Sequence, residues 1–428
     1  MLVGSSVRRV AIVGSSRIPF ARSMGAYAEC SNQDMLTAAL KSLVNKFGLH
    51  GERLGDVLGG AVLKHSQDFN LVRESVLGSG LAPETPGLDL QRACGTSLEA
   101  AIRIGNQIAL GQIDSGIACG VDTASDVPIV YPHSYRKLLL RSSRGKSTMD
   151  RIKPWFGLRP KHFKPTLPGV VEPRTGLSMG QACEQMATVW QISRQAQDQL
   201  AFDSHRHAVA AYDAGFFKDL VQEYQGLKMD NNLRRDSSLE KLAKLKPSFD
   251  KSSAGTLTAG NSTPMTDGAA SVLLSSEQWA RDRKLPILAY LTYGKVAAVD
   301  FVDKEGLLMA PAYAIPRMLD DANLSLQDFD YYEIHEAFAA QVLCTLKAWE
   351  SREYCRDKLG RNEPLGSIDR AKLNIKGSSV ALGHPFAATG ARILGTLAKT
   401  LAEQGGKRGL ISVCTAGGMG VTAIVERQ

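Results

Sequence analysis

The sequence has no stretch of 18 uninterrupted apolar residues, so it predicts no transmembrane helix. Its first nine residues lack the apolar segment of a secretory signal peptide. The seven cysteines are scattered singly, without a CxxC pair or the spacing of metal ligands. This pattern disfavours a disulfide framework and a zinc site, and it indicates a reducing compartment. We therefore expect a cytoplasmic protein.

Proline is scarce beside glycine, with 17 prolines against 40 glycines, which is typical of many tight strand–helix turns. The chain of 428 residues is 44% hydrophobic and can bury a large core, in two or three domains. Its formal net charge is +8. This charge favours an acidic partner, which could be a phosphate-bearing cofactor, a nucleic acid or a membrane surface. Composition does not choose among them.

Strands alternate with helices through the first 125 residues, which predicts an α/β layer. The order of elements recurs in the last third of the chain. A turn at Cys94, a helix and a strand at residues 115–120 have counterparts in a turn at His384, a helix and a strand at residues 409–413. Two similar halves packed face to face would bring both turns to one cleft.

The first of these turns carries Cys94 between a short strand and a helix. Apolar residues recur at helical spacing after Gly95, namely Leu98, Ala101, Ile102, Gly105, Ile108 and Ala109. Unpaired N–H groups and the helix dipole favour an anion at such a position, which predicts a lowered pKa of the Cys94 thiol. A thiolate there would suit covalent acyl transfer. An inert core cysteine is the common alternative.

Three further residues have a similar setting. His384 lies between Gly383 and Pro385 ahead of a helix, and Cys414 precedes a run of glycines at the end of a strand. His335 stands at a predicted strand-to-helix turn. An acyl-enzyme needs a proton acceptor, a second acid or base and donors for an oxyanion, which these groups could supply. Each of them taken alone could equally be a structural residue.

The regular alternation stops at residues 126–174, which we call the basic excursion. Apolar residues are interleaved there with the basic residues Arg136, Lys137, Arg141, Arg144, Lys146, Arg151, Lys153, Arg159, Lys161, Lys164 and Arg174. A solvated surface loop is the simplest interpretation. Our hypothesis is docking onto a protein partner or onto anionic lipid, because Trp155 and Phe156 stand amid basic residues. No recognition motif accompanies the charge, so we expect no nucleic-acid binding.

Five motifs in order make the chain resemble the thiolase family from about residue 8 to its end. They are the Cys94 turn, the block at residues 256–269, His335-Glu-Ala-Phe-Ala, Gly383-His-Pro and Cys414-x-Ala-Gly-Gly-Met-Gly. Many thiolases have Asn at the position of His335 and Gly at that of Ala416. The form with His335 resembles the β-subunit type of the fatty-acid trifunctional complexes, as do the basic excursion and a charged insertion at residues 350–372.

This resemblance implies the α/β thiolase-like fold, in which two similar halves form a layered αβαβα arrangement with an inserted loop domain. We expect the N-terminal half at residues 1–125, completed by residues 265–285, the inserted domain at residues 126–264 and the C-terminal half at residues 286–428. A homodimer or homotetramer is the expected assembly. A hydratase/dehydrogenase α-subunit or a membrane surface is the candidate partner of residues 130–170.

The resemblance also implies a ping-pong reaction in fatty-acid β-oxidation. His384 would activate Cys94, whose sulfur attacks a 3-oxoacyl-CoA and keeps the shortened acyl group until coenzyme A removes it. Cys414 would protonate the departing acetyl-CoA enolate, whose oxygen His335 and His384 would stabilise, His335 through a water. The backbone N–H groups of Cys94 and Ala416 would form the second oxyanion hole.

Coenzyme A and acetyl-CoA are expected as substrates, with no permanently bound cofactor and no metal. The resemblance places the nucleotide on the inserted domain, with Arg234 at the phosphates and Phe249 near the adenine. It also implies a pantetheine tunnel lined by Met179, Ala259 and Thr263, with Phe338 at its mouth.

Two alternatives remain open at this stage. The enzyme could make or cleave acetoacetyl-CoA, as an acetyl-CoA C-acetyltransferase, or the chain could be an inactive acyl-CoA-binding scaffold subunit. A decarboxylating or one-way condensing synthase is disfavoured, because such enzymes lack the second cysteine that is present here as Cys414.

Overall fold

The computed structural model describes residues 7–169 and 171–427. The N-terminal half was predicted to begin at residue 1, and the segment examined for a signal peptide begins there as well, but residues 1–6 lie outside the described residues. So do position 170 of the basic excursion and residue 428. Within the described ranges, no helix is long and apolar enough to cross a membrane.

Strands and helices alternate along most of the described chain. The strands are β1 (Val10–Arg17), β2 (Ala21–Arg22), β3 (Asp56–Gly59), β4 (Gly87–Asp89), β5 (Ser115–Asp122), β6 (Thr266–Ser276), β7 (Ala289–Ala298), β8 (Tyr331–Ile334), β9 (Arg408–Thr415) and β10 (Met419–Glu426). The helices are α1 (Asn32–Phe47), α2 (Leu71–Leu77), α3 (Thr96–Ala109), α4 (His133–Ser143), α5 (Thr148–Ile152), α6 (Met179–Val189), α7 (Arg194–Asp213), α8 (Leu239–Ala243), α9 (Glu277–Asp282), α10 (Ala310–Ala322), α11 (Ala339–Glu350), α12 (Arg352–Leu359), α13 (Ser379–Leu382) and α14 (Thr389–Gln404).

The strands lie in the order β4-β3-β5-β6-β1-β7-β10-β9-β8, with β2 beside β6. In the first half β3 runs parallel to β4 and β5, and β6 runs antiparallel to β5 and β1. The second half repeats this pattern, since β8 runs parallel to β9, and β10 runs antiparallel to β9 and β7. A short antiparallel pairing of β1 with β7 joins the halves. The predicted repetition is confirmed.

Strands β5 and β6 are buried along their whole length. Such strands are covered by other layers on both faces, which explains their apolar and small residues. Because β6 lies between β5 and β1, residues 266–276 complete the sheet of the first half. The division into domains at residues 1–125 with 265–285, 126–264 and 286–428 stays a prediction.

The central layer consists of α3 and α14, which share one apolar cluster with strands of both halves. A second cluster joins the first-half sheet to α1 and α2, and a third joins the second-half sheet to α10 and α11. Five layers, αβαβα, follow from these three cores. A Cβ on Gly390 would lie 2.4 Å from the backbone nitrogen of Leu98, so only glycine permits this approach of α14 to α3. The contact brings the N-terminal ends of both helices together.

The basic excursion forms α4, α5 and short 3₁₀ turns on the surface, as predicted. Many of its large apolar side chains are exposed, among them Ile129, Tyr131, Met149, Trp155, Phe156, Phe163 and Leu167. These exposed apolar side chains make the basic excursion a candidate docking surface, which stays a prediction.

Candidate active site

Cys94 stands on a tight turn just before α3. Ala93 has a φ of +42°, a left-handed conformation that few non-glycine residues adopt, and the Thr96 hydroxyl donates to its carbonyl at 2.7 Å. A Cβ on Gly95 would lie 2.6 Å from a methyl group of Val421. The turn is therefore pressed against β10, and the half-buried Cys94 sits where the two halves of the molecule meet.

His384 faces this cysteine from the turn that precedes α14. Its Nε2 lies 3.2 Å from Cys94 Sγ, and its Nδ1 lies 2.6 Å from the hydroxyl of Thr389. The Thr389 hydroxyl donates its own hydrogen to the carbonyl of Pro385 at 3.2 Å. It must therefore accept from His384 Nδ1–H, which leaves Nε2 without a hydrogen and able to accept the Cys94 proton.

Burial controls the protonation of this pair. It raises the pKa of Cys94 to about 12, while the backbone N–H groups of Ala416 and of Cys94 itself lower the pKa by less. Burial, and then the charge of Arg392, lower the pKa of His384 to about 3. Both groups are neutral at pH 7. The prediction of a lowered thiol pKa is wrong, because desolvation outweighs the helix N-terminus.

Cys414 is the penultimate residue of β9 and is 1% exposed. Burial and the nearby Cys94 raise the pKa of Cys414 well above its ordinary value. A methyl group of Thr415, the next residue, would lie 3.0 Å from a Cβ on Gly95. The two cysteines of the opposite halves therefore lie close together, and the thiol of Cys414 is neutral at pH 7.

The loop after Cys414 is fixed by a residue that sequence reasoning missed. Gly417 and Gly418 both adopt positive φ, at +75° and +67°, and the N–H of Gly417 donates to the carboxylate of Glu172 at 2.7 Å. This bond holds the adjacent N–H of Ala416 near Cys94. Glu172 is one of three acidic residues in the basic excursion, and this rarity is the signal that could have singled it out.

His335 is fully buried beside His384, with 4.1 Å between the ring centroids. Its Nδ1 lies 2.8 Å from the hydroxyl of Ser379, and its Nε2 has no hydrogen-bond partner within the described ranges. Burial, His384 and Arg392 lower the pKa of His335 well below its ordinary value. One ligand atom each of Cys94, His335 and His384 lie within 4.8 Å of one another, a geometry that could also hold a metal ion.

The predicted substrate-binding residues fall into two groups. Met179, Phe249 and Phe338 share an apolar cluster with Cys414, and the two phenylalanine rings meet at 5.7 Å. Thr263 lies beside this cluster, because its N–H donates to the carbonyl of Ala337. The second group, Arg234 and Ala259, lines a separate cavity of about 280 Å³, which Phe249 does not line.

Two residues of this cavity were missed by sequence reasoning. Arg22 lines it together with Arg234, and burial and then the charge of Arg234 lower the pKa of Arg22. The hydroxyl of Ser262 is buried in the cavity wall without a partner in the described structure. Ser262 lies inside the block at residues 256–269 and could have been found there, whereas nothing in the sequence singles out Arg22.

Comparison with known proteins decides the family. A family model described as "Thiolase, N-terminal domain" matches residues 10–278, and one described as "Thiolase, C-terminal domain" matches residues 285–427. The protein belongs to the thiolase family. This thiolase is 39% identical over 424 residues to a 3-ketoacyl-CoA thiolase of Pectobacterium carotovorum, with 98% of this chain and 96% of the relative covered.

Further relatives extend the comparison. A 3-ketoacyl-CoA thiolase of Yersinia pestis is 38% identical over 98% of this thiolase and 97% of its own length. The crystal structure of the Bacillus anthracis acetyl-CoA acetyltransferase superposes with a TM-score of 0.81 at 29% identity, over 99% of this chain and 100% of that chain. The predicted family, fold and acyltransferase class are thereby confirmed.

Proposed function

We propose that this thiolase cleaves 3-oxoacyl-CoA with coenzyme A, giving acetyl-CoA and a shortened acyl-CoA in fatty-acid β-oxidation. The 3.2 Å contact of Cys94 Sγ with His384 Nε2 carries the proposal, because it joins a nucleophile to a base with a free lone pair. The printed names of the relatives in Pectobacterium and Yersinia support the substrate.

In the first half-reaction His384 Nε2 takes the Cys94 proton as the sulfur attacks the 3-keto carbon. The bond between C2 and C3 of the substrate breaks, the acyl group stays on Cys94, and the Cys414 thiol gives its proton to the departing enolate at C2. Starting from a neutral thiol and a neutral imidazole suits this concerted transfer, because neither reacting group carries a buried charge before attack.

In the second half-reaction the thiol of coenzyme A gives its proton to the Cys414 thiolate, and its sulfur takes the acyl group. Cys94 then recovers its proton from His384. The N–H groups of Cys94 and Ala416 would hold the oxygen of the tetrahedral intermediate, since both already act on the Cys94 sulfur. His335 and His384 would hold the enolate oxygen, His335 through a water.

The cavity of Arg22 and Arg234 is the proposed phosphate site. The charge of Arg234 disfavours the protonated form of Arg22, so an anion beside the two side chains would be favourable, and the phosphates of coenzyme A meet that need. Met179, Ala259, Thr263 and Phe338 remain the proposed path of the pantetheine arm. Phe249 remains the proposed adenine contact, although it packs on Phe338. We propose no permanent cofactor and no metal.

Acetoacetyl-CoA is the second candidate substrate, favoured by the name of the Bacillus structure. Thiolysis should be measured with acetoacetyl-CoA and with a long-chain 3-ketoacyl-CoA, for the wild type and for Cys94→Ser. We expect the long-chain substrate to give the higher kcat/KM and the Cys94→Ser variant to lose it. Preference for acetoacetyl-CoA would favour the acetyltransferase, and no turnover of either substrate would favour the inactive scaffold.

The basic excursion is the proposed docking surface for a hydratase/dehydrogenase partner or for anionic lipid. The sequence predicts this role for residues 130–170. Phe156 is 82% exposed there, and Trp155 is 40% exposed. Replacing Arg151, Lys153 and Arg159 together should weaken co-sedimentation with partner or liposomes at low salt. The same change at exposed Lys41, Lys218 and Lys228 is the control; unchanged sedimentation of the first variant would reject docking.

The assembly as a homodimer or homotetramer and the location in the cytoplasm likewise stay predictions.

A further inference from the structure

The hydroxyl groups of Thr389 and Ser379 hold the two active-site histidines in opposite tautomers. We infer that Ser379, itself held by Arg392, is a positioning residue that fixes His335 in the tautomer with hydrogen on Nε2, aimed into the pocket. The inference rests on the proposed function, because it explains how His335 serves as a donor to substrate oxygen while the neighbouring His384 serves as a base.

The hydrogen bonds of Ser379 determine the tautomer. Arg392 Nη2 donates to the Ser379 oxygen at 2.7 Å, and His335 Nδ1 lies 2.8 Å from the same oxygen. A hydroxyl has one hydrogen, and His335 Nδ1 is the one acceptor that the described structure offers it. The hydroxyl therefore donates to Nδ1, and the ring carries its hydrogen on Nε2.

The opposite tautomer would leave more buried groups unsatisfied. With hydrogen on His335 Nδ1, the Ser379 hydroxyl would be a buried donor without an acceptor, and His335 Nε2 would be a buried lone pair without a donor. With hydrogen on Nε2, only this N–H lacks a protein acceptor, and a substrate oxygen or a bound water can accept its hydrogen bond. An Nε2 that carries hydrogen is also no ligand for a metal ion.

Arg392 keeps this arrangement in place from the central helix α14. The side chain is 2% exposed, and it also contacts the hydroxyl of Ser378 at 3.3 Å. Its charge favours the neutral forms of both histidines. The backbone of Ser379 is fixed as well, since its carbonyl accepts from the Thr263 hydroxyl at 2.9 Å and from the N–H of Gly383 at 2.9 Å. A serine held on both sides leaves the His335 ring little freedom.

Histidine ¹⁵N NMR of the wild type at pH 7 tests the inference on the unaltered site, and variants serve only to assign the signals. We expect hydrogen on Nε2 of His335 and on Nδ1 of His384, with the two signals assigned by His335→Asn and His384→Asn. Hydrogen on Nδ1 of His335, or an even mixture, would overturn the inference. Because this measurement needs no turnover, the expected tautomers in a protein without thiolysis would refute the proposed function alone.

A double-mutant cycle supplies the kinetic test. Ser379→Ala should lower kcat about 10- to 100-fold in the wild-type background, with KM for coenzyme A changed less, because a positioned donor is lost. Starting from the His335→Asn variant, whose amide needs no tautomer, the same change should cost less than about 2-fold. Ser378→Ala, which touches Arg392 but not His335, is the matched control. Equal losses in both backgrounds would show a merely structural serine.

Discussion

His384 and His335 are the same residue type, lie 4.1 Å apart and are both buried and neutral, yet they are prepared for different tasks. Thr389 accepts from Nδ1 of His384 because its own hydrogen goes to a carbonyl. Ser379 donates to Nδ1 of His335 because Arg392 occupies its acceptor side. In each case a further group binds the hydroxyl that contacts Nδ1: a carbonyl for Thr389 and a guanidinium for Ser379. The comparison teaches that this further group decides whether the histidine presents a lone pair or a hydrogen on Nε2.

Removing the base should have the largest effect. We expect His384→Asn to lower kcat/KM for thiolysis by roughly 10²- to 10⁴-fold, the usual contribution of a general base. Alkylation of Cys94 by iodoacetamide at pH 7 should slow as well, since nothing else takes the thiol proton. His50→Asn, at a surface histidine, is the control. Unchanged alkylation would remove His384 from the activation of Cys94.

The donor histidine should matter less, and in a different way. We expect His335→Ala to lower kcat about 10²- to 10³-fold, as the loss of one oxyanion donor does. Alkylation of Cys94 should keep its wild-type rate, because His335 takes no proton from the thiol. A parallel fall in alkylation would break the distinction between the two histidines.

Replacing the hydroxyl of Thr389 and replacing that of Ser379 should likewise have different effects on the alkylation of Cys94. Thr389→Val should lower kcat about 10- to 100-fold, because it leaves Nδ1–H of His384 unpaired and frees the opposite tautomer. It should also slow alkylation of Cys94, whereas Ser379→Ala should not. Identical alkylation rates in these two variants would contradict separate control of the two rings.

The smallest expected effect concerns stability on the His335 side. Glu333, two residues before His335 in β8, is buried, and burial raises the pKa of its carboxyl to about 8. Because the folded form holds this proton more tightly than the unfolded chain, stability is highest below the ordinary pKa of 4.5 and falls as pH rises from there to the folded pKa of about 8. The Tm of Glu333→Gln relative to wild type should therefore rise from pH 5 to pH 9. Exposed Glu353→Gln is the control, and a constant difference would contradict the account.

Much of the site could be read from the sequence because its reacting groups sit at element ends. Cys94 and His384 each precede a buried helix, Cys414 lies near the end of a strand, and glycines stand close to the last two in sequence. Hydrophobic periodicity located these elements, and their repeated order predicted the two halves, which the sheet order confirms. Local sequence pattern and the order of elements along the chain were therefore sufficient to predict the two halves and the positions of the reacting groups.

The hydrogen-bond partners could not be read in this way. Ser379 lies 44 residues from His335, and Glu172 lies 245 residues from Gly417. No spacing rule joins such pairs, because tertiary packing alone brings them together. The thiol pKa was predicted in the wrong direction for the same reason, since the sequence shows a helix N-terminus but not the extent of burial around it.

The central claim is that Cys94, activated by His384, carries the acyl group between the two half-reactions. The direct measurement is mass spectrometry of the protein after incubation with a 3-oxoacyl-CoA without free coenzyme A. We predict a mass increase equal to the shortened acyl group on the peptide that contains Cys94, removed by adding coenzyme A. An acyl group on the Cys414 peptide, or none on a protein that still turns over, would contradict the account.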